Sequence, residues 1–377
     1  MKELIVNNFA GIKKNKFEIS HLTIFQGYGS REILRLIAAL EWIEKNMFMI
    51  NLELSEFFNK KTKENIFSKN IQDVLSFQNI HNFISTKTKI VYKTDFTIFT
   101  LYGNNCNIKK VKNSPKIYLR PKIHHIPEGR EFVYYILQLH KVRGIQSVLY
   151  EFYSSAIEVY RTLKNTNMCF TLNDDVFNVY LKDLEEILKI NVKTKDYPSG
   201  QSLDCLEDGI KSMILIIMFF EASGIINSRD NLSSMDFKNK INNKFLNFLA
   251  KENFTKQEIE KYINSSKLLS NGLKKFLFEN KIIHKTPSKN ITENINLDYK
   301  IRKIFEGYYT EYYQYIIESI DSNIQKKFQE SFFSHLMNKL NNNDYLIIST
   351  IDSFIYKKYI KNKKNIFDYR IYNLNTD

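Results

Sequence analysis

The chain has 377 residues and a formal net charge of +14, from 55 Lys and Arg against 41 Asp and Glu. Its length allows two or three domains, or one domain with a large insertion, and a hydrophobic content of 43% is enough for a sizeable core. Three scattered cysteines argue against a disulfide framework or a zinc site, and the longest apolar run, residues 213–220, is too short to span a bilayer.

These features predict a cytoplasmic protein without a membrane segment. The cysteine usage favours a reducing compartment, and residues 1–3 lead directly into a strand, so no signal peptide is expected. The basic excess permits contact with nucleic acid or with an acidic partner. Because the charge is spread along the chain, and genome composition would also enrich Lys and Asn, nucleic-acid binding stays one alternative among others.

The N-terminal part predicts strands that lead into a helix. Apolar patterns indicate strands at residues 4–6, 16–19 and 22–25 and a helix over residues 31–45. Residues 46–85 are polar and mostly helical in pattern. Further strands are predicted at residues 90–92, 96–99, 117–119 and 123–126.

The remainder predicts a helical middle followed by a second α/β segment. Helices are predicted at residues 132–139, 148–163, 176–190 and 203–222, with short helices over residues 227–300. The C-terminal part predicts a strand at 313–318, a helix at 325–340, a strand at 345–349, a helix at 354–360 and a basic tail. The simplest architecture is an α/β head built from residues 1–130 and 311–377, with a mainly helical insertion over residues 131–310.

Residues 22–37 combine a buried strand, a turn containing Gly27 and Gly29, and the start of a helix. This is the layout of a phosphate-binding loop, in which backbone N–H groups at a helix N-terminus hold an anion. The required lysine is missing, because no Lys follows Gly27 before Lys45, and Glu32 places a negative charge in the first helical turn. An ordinary glycine turn of an α/β protein explains the same residues.

Four segments carry further motifs. They read ELIVNNFAGIK at residues 3–13, LTIFQG at residues 22–27, HHIPEGR at residues 124–130 and PSGQS at residues 198–202. Together they resemble the RecF/SMC-type ABC ATPases, and most of all the bacterial AAA family ATPases related to the overcoming-lysogenisation-defect nucleases. Many members of that family lie in phage-defence loci. The resemblance implies a P-loop NTPase-like head in which Arg130 is a kept motif residue.

The same resemblance shows departures at the catalytic positions. The Lys, Ser and Thr of the family's phosphate loop are replaced by Ser30, Arg31 and Glu32. In the Walker B-like motif, Glu318 takes the place of the metal-side acid and Asp321 follows it, but Ser319 replaces the acid that would activate water. Ile351 stands where the family has its switch histidine, and it cannot hydrogen-bond a γ-phosphate. Phosphoryl transfer depends on these parts, so we expect a degenerate site.

The expected function is that of a pseudo-ATPase, a structural or regulatory subunit in a bacterial defence system, with no cofactor of its own. One alternative is an active ATPase that uses ATP and Mg²⁺, with Arg31 supplying the lysine's charge. The other is a nucleic-acid-binding module. The resemblance also implies a homodimer, or a heterodimer with an intact ATPase, because the signature loop of one subunit completes the nucleotide site of the other. The residues that would do so are Ser199, Gly200, Gln201 and Ser202.

Overall fold

The computed structural model covers most of the chain in separate ranges. It describes residues 2–50, 74–76, 78–111, 121–130, 147–163, 166–184, 187–227, 235–266, 271–279, 281–285, 312–351 and 368–374, with the single residues 269, 297, 300, 301 and 304.

The described residues form a mixed α/β fold. Its strands are β1 (Lys2–Phe9), β2 (Ile12–Ile19), β3 (Leu22–Gln26), β4 (Lys89–Lys93), β5 (Thr97–Tyr102), β6 (Asn105–Lys110), β7 (Pro121–Ile126), β8 (Asn167–Leu172), β9 (Asp175–Leu184), β10 (Ile187–Lys193), β11 (Gln201–Ser202), β12 (Tyr312–Ile317), β13 (Tyr345–Thr350) and β14 (Tyr369–Asn373). Its helices are α1 (Ser30–Ile50), α2 (Ser147–Leu163), α3 (Asp208–Asn227), α4 (Met235–Glu252), α5 (Lys256–Ser265), α6 (Asn271–Glu279) and α7 (Lys326–Lys339). Short 3-10 helices lie at His81–Phe83 and Leu203–Cys205.

A five-stranded parallel sheet in the order β14-β3-β13-β12-β7 lies at the centre. It combines two strands from the first 126 residues with three from the last 66, so distant parts of the sequence share one core. β12 and β13 are buried along almost their whole length, as expected for parallel strands that are covered on both faces.

Successive residues of the parallel sheet face two different cores. Phe25, Ile316 and Ile347 pack towards α1 and the antiparallel sheet β2-β1-β4-β5-β6. Ile317 and Ile348 pack on the other face, towards α2, α3, α7 and the sheet β11-β10-β9-β8. Helices α4, α5 and α6 share a smaller core of their own. No helix of the described ranges is long and apolar enough to cross a membrane.

Most of the predicted elements that can be compared are confirmed. This holds for the strands predicted at 4–6, 16–19, 22–25, 90–92, 96–99, 123–126, 313–318 and 345–349, and for the helices predicted at 31–45, 148–163 and 325–340. The strand predicted at 117–119 and the helices predicted at 132–139 and 354–360 lie outside the described residues, as does most of 46–85. Strands β6, β8 and β14 were not predicted.

The helix predicted at residues 176–190 is wrong, because this segment forms β9 and the start of β10. Phe177, Val179 and Leu181 are buried at every second position, which is the period of a strand and not of a helix. Residues 173–174 connect β8 to β9 as a two-residue hairpin turn, and both have positive φ angles, which Asn and Asp tolerate. The mainly helical middle therefore contains a four-stranded antiparallel sheet.

Candidate functional site

The carboxyl ends of β3, β7, β12 and β13 meet at one edge of the parallel sheet, because neighbouring strands run in the same direction. In open α/β sheets this is the edge at which ligands bind. The structure brings to it the residues that the motifs single out, namely Gly27, Gly29, Ser30, Arg31, Glu32, Arg130, Glu318, Ser319, Asp321 and Ile351.

The glycine turn after β3 is tight and packs against the β1–β2 turn. Gly27 and Gly29 have φ angles of +100° and +79°, a conformation that favours glycine. The Ser30 N–H donates to the Gly27 carbonyl at 3.2 Å, and α1 begins at Ser30. A Cβ atom on Gly29 would lie 2.9 Å from the carbonyl oxygen of Ala10, so the β1–β2 turn packs directly against this loop.

Glu318 is the central side chain of the site, and it is fully buried. Arg35 from α1 binds it with two hydrogen bonds, from Nε to Oε1 at 2.7 Å and from Nη2 to Oε2 at 2.9 Å. His125 Nε2 lies 2.9 Å from Oε1, and the Glu128 N–H donates to Oε2 at 3.2 Å. Each carboxylate oxygen therefore already has two partners within the protein.

These contacts decide the charge state of Glu318. Burial by itself would raise the pKa of the carboxyl group, but the hydrogen bonds and charges of His125 and Arg35 outweigh burial and lower the pKa to about 2. Glu318 is therefore ionised at neutral pH, with an arginine as its counter-ion. Among the described residues, no group of three or more His, Cys, Asp or Glu could hold a metal ion.

Arg31, at the position that would have to supply the lysine's charge, binds the carboxylate of Glu128, which lies in the loop after β7. Its Nε also lies 3.6 Å from Oε1 of Glu32. The cation nearest to the glycine turn is thus shared between two acids. An incoming phosphate would have to compete with both of them.

Arg130 is buried and holds the backbone of this edge in place. It donates to the carbonyl oxygens of Pro127, Glu318 and Ser319 at 3.2, 2.8 and 3.0 Å, and to the hydroxyl of Ser212 on α3 at 2.6 Å. These contacts connect the loops after β7 and β12 with α3. They identify Arg130 as a structural residue of the site.

The Walker B-like and switch-like residues are joined by hydrogen bonds across β12 and β13. Ser319 has a φ angle of +43°, and its N–H donates to the hydroxyl of Ser349 at 2.8 Å. The hydroxyl of Thr350 donates to Oδ2 of Asp321 at 2.6 Å. The side chain of Ile351 is 76% exposed and offers only apolar surface at the end of β13.

The signature-like residues form a turn and a short strand, and do not lead directly into a helix. Gly200 has a φ angle of +86°, and its N–H donates to the Tyr197 carbonyl at 3.0 Å. Residues 201–202 then pair with β10 as β11. The helix predicted to start at residue 203 begins only at Asp208, because residues 201–202 pair with β10 and residues 203–205 form a 3-10 turn.

The sequence interpretation missed the partners of Glu318. Arg35 follows Arg31 by four residues, so helical spacing places both on one face of α1, and this signal could have been used. His125 lies in the HHIPEGR motif, where only Arg130 was singled out. The contact with Glu318 joins residues 193 positions apart, which no local pattern indicates.

Comparisons with known proteins give little further information. No family model matches the chain, and no curated protein matches it either. Among solved structures, the chain is similar to the SMC head domain from Thermotoga maritima, with 10% sequence identity and a TM-score of 0.34. That alignment covers 94% of this chain and 90% of the other.

Proposed function

We propose that this chain is a catalytically degenerate, ABC-type ATPase-like protein that acts as a structural or regulatory subunit. The observation that carries the proposal is the ion pair between Glu318 and Arg35. In the motif resemblance, Glu318 takes the place of the acid on the metal side. Here a guanidinium group of the protein itself binds both of its oxygens.

The residues around Glu318 do not fit Mg²⁺. This ion needs nearly octahedral oxygen ligands at about 2.1 Å, including one or two open carboxylate oxygens. Arg35 and His125 instead bind the oxygens of this buried carboxylate. Removing one partner of a buried ion pair typically costs about 3–5 kcal/mol. Mg²⁺-dependent hydrolysis of ATP at this edge is therefore not part of the proposed function.

The alternative of an active ATPase requires Arg31 to bind phosphate in place of the missing lysine. Arginine is a legitimate phosphate ligand. The contact between Arg31 and Glu128 argues against this role, as does Glu32 in the first turn of α1. Both acids oppose the charge of a phosphate.

An ATP hydrolysis assay on the purified chain tests the proposal. With micromolar protein and millimolar Mg·ATP, we expect turnover that is indistinguishable from a buffer blank. Sustained turnover that depends on Glu318 would contradict the proposal and favour the active-ATPase alternative.

A second candidate function, nucleic-acid binding, is favoured by the outward face of the antiparallel sheet. The strand register aligns one row across β2, β1, β4 and β5 in the order Lys14, Asn7, Lys89 and Tyr102. A second row crosses all five strands in the order Glu18, Glu3, Lys93, Ile98 and Lys109. The exposed lysines on this face are Lys14, Lys16, Lys89, Lys93 and Lys109, against the two acids Glu3 and Glu18. A basic face with amides and an exposed tyrosine suits a single-stranded nucleic acid.

Salt dependence tests this second candidate. If the face binds single-stranded DNA, affinity should fall steeply between about 50 and 200 mM salt, and the double variant Lys14→Glu/Lys89→Glu should weaken binding and reduce the salt slope by about two. The control Lys251→Glu/Lys261→Glu makes the same charge change on α4 and α5. Equal loss in both double variants would exclude the sheet face as the binding surface.

A further inference from the structure

A pocket of about 240 Å³ lies between α1, β7 and α2, away from the glycine turn. Trp42 and Lys45 line it from the second half of α1, and Lys122 and His125 line it from β7. With a rise of about 1.5 Å per residue, Trp42 lies about 18 Å along α1 from Ser30. The pocket is therefore separate from the phosphate-loop-like turn.

The ionisable side chains among the described residues of this lining are all basic. Lys45, Lys122 and His125 contribute to its wall, and no Asp or Glu is among the described residues of the lining. Burial, together with the charges of Lys122 and Lys45, lowers the pKa of the neighbouring His124, which places both lysine charges near the same part of β7. Such a wall attracts an anion.

Glu158 and Glu318 contact Lys122 and His125, and neither acid lines the pocket. Glu158 on α2 binds Lys122, but its side chain is 51% exposed, and ion pairs in contact with water contribute little. Glu318 binds His125 through Nε2 on the site side and is itself paired with Arg35. An anion in the pocket can therefore replace Glu158 as the partner of Lys122.

The rest of the lining suits a flat ring. The indole of Trp42 is 39% exposed, and Ala38, one helical turn earlier, leaves room beside it. Ile123 adds an apolar surface, while Gln78 and Ser155 place an amide and a hydroxyl at the wall. Aromatic side chains bind bases by stacking, and lysines bind phosphate oxygens.

We propose that this pocket binds a small phosphorylated ligand with a planar ring, of the size of a nucleoside monophosphate. Trp42 stacks on the ring, and Lys45 and Lys122 bind the phosphate. The volume lies just below the range of about 300–1,000 Å³ that is usual for ligand pockets, which favours a monophosphate over larger nucleotides. The inference does not depend on the state of Glu318, so it stands or falls separately from the proposed loss of hydrolysis.

Trp42 is the only tryptophan of the chain, so its fluorescence reports on this pocket directly. We expect AMP to cause a saturable change in emission, with adenosine and inorganic phosphate each binding about ten-fold more weakly or worse. Lys45→Met and Lys122→Met should each weaken AMP binding about ten-fold, because each removes one phosphate contact. Thermal melting of each variant checks that it is folded.

Lys251→Met is the matched control, since it removes one exposed positive charge from α4 and Lys251 does not line the pocket. It should bind AMP as the wild type does. The absence of a saturable signal up to about 10 mM AMP would overturn the proposal. Unchanged affinity in folded Lys45→Met and Lys122→Met would overturn it as well. Inorganic phosphate that binds as tightly as AMP would overturn the role of Trp42.

Discussion

The ion pair between Glu318 and Arg35 determines whether the acid at this edge of the parallel sheet can bind a metal ion. An acid at the end of a parallel strand is well placed to hold a metal ion, provided that its oxygens are open. Here the acid is buried, ionised and bound by a guanidinium group through two hydrogen bonds. Both oxygens of Glu318 are therefore occupied by partners within the protein and are not open to a cation.

Glu44, a second buried carboxylate, has the opposite pKa shift. It lies on α1, where it accepts hydrogen bonds from Thr94 and Thr97 and lies close to Glu41. Burial and the negative charge of Glu41 raise its pKa to about 7. Protonated Glu44 is therefore favoured by the folded state more than by the unfolded chain.

The pH dependence of stability follows from this direction. The stabilisation is complete below the ordinary pKa of 4.5 and is lost as the pH rises through about 7, with a total on the order of 3 kcal/mol. Glu44→Gln cannot ionise and keeps an oxygen for both threonines. We expect it to melt at a higher temperature than the wild type at about pH 8, and to show a flatter melting profile between about pH 5 and 8.

Glu158→Gln provides the control, because it removes a carboxylate that is half exposed on α2. Its melting profile should follow that of the wild type. If Glu44→Gln also follows the wild type at every pH, Glu44 is not the group that titrates.

Individual roles were only partly predictable from the sequence. Glycine at 27 and 29 could be assigned to a turn, because positive φ angles favour glycine. The partners of Glu318 could not be assigned, because Arg35 lies 283 positions away and meets it only when α1 packs across the sheet. Spacing along the chain identifies faces of elements, but not which faces meet.

At the scale of elements, β9 and the signature-like loop mark where local patterns fail. The apolar spacing of residues 176–190 as a whole is compatible with a helix or with strands. The segment forms strands because β9 pairs with β8 and β10. Residues 201–202 likewise pair with β10, so α3 starts later than predicted, at Asp208. The asparagine and aspartate at 173–174 were an available signal for a hairpin.

The exposed signature-like loop also bears on a prediction from the motif resemblance, that the chain pairs with an intact ATPase and that this loop completes the partner's nucleotide site. Ser199 is exposed, so its hydroxyl can reach a second subunit. If the loop acts in this way, Ser199→Arg and Gly200→Trp should lower the ATP turnover of a co-expressed partner ATPase.

Asn343→Arg is the control, since it lies in an exposed turn before β13, at the opposite edge of the parallel sheet. It should leave the partner's turnover unchanged. A bound partner that hydrolyses ATP equally fast with the wild type and both loop variants would exclude a role for this loop in trans.

At the scale of the whole molecule, the central parallel sheet joins the two ends of the sequence. Strands β3, β12 and β13 were predicted from their apolar runs, because strands covered on both faces are continuously hydrophobic. β14 was taken for a basic tail, because it lies at the sheet edge and its residues are only partly buried. The placing of a different core on each face of this sheet follows from packing and not from any single segment.

The most direct test of the central claim is ATP hydrolysis by the purified wild type, compared with Glu318→Gln and with Glu158→Gln as a surface control. If Arg35 and His125 occupy Glu318 as described, all three proteins should give the rate of a buffer blank in millimolar Mg·ATP. Turnover by the wild type and Glu158→Gln that disappears in folded Glu318→Gln would contradict the account, because Glu318 would then be an open, working acid.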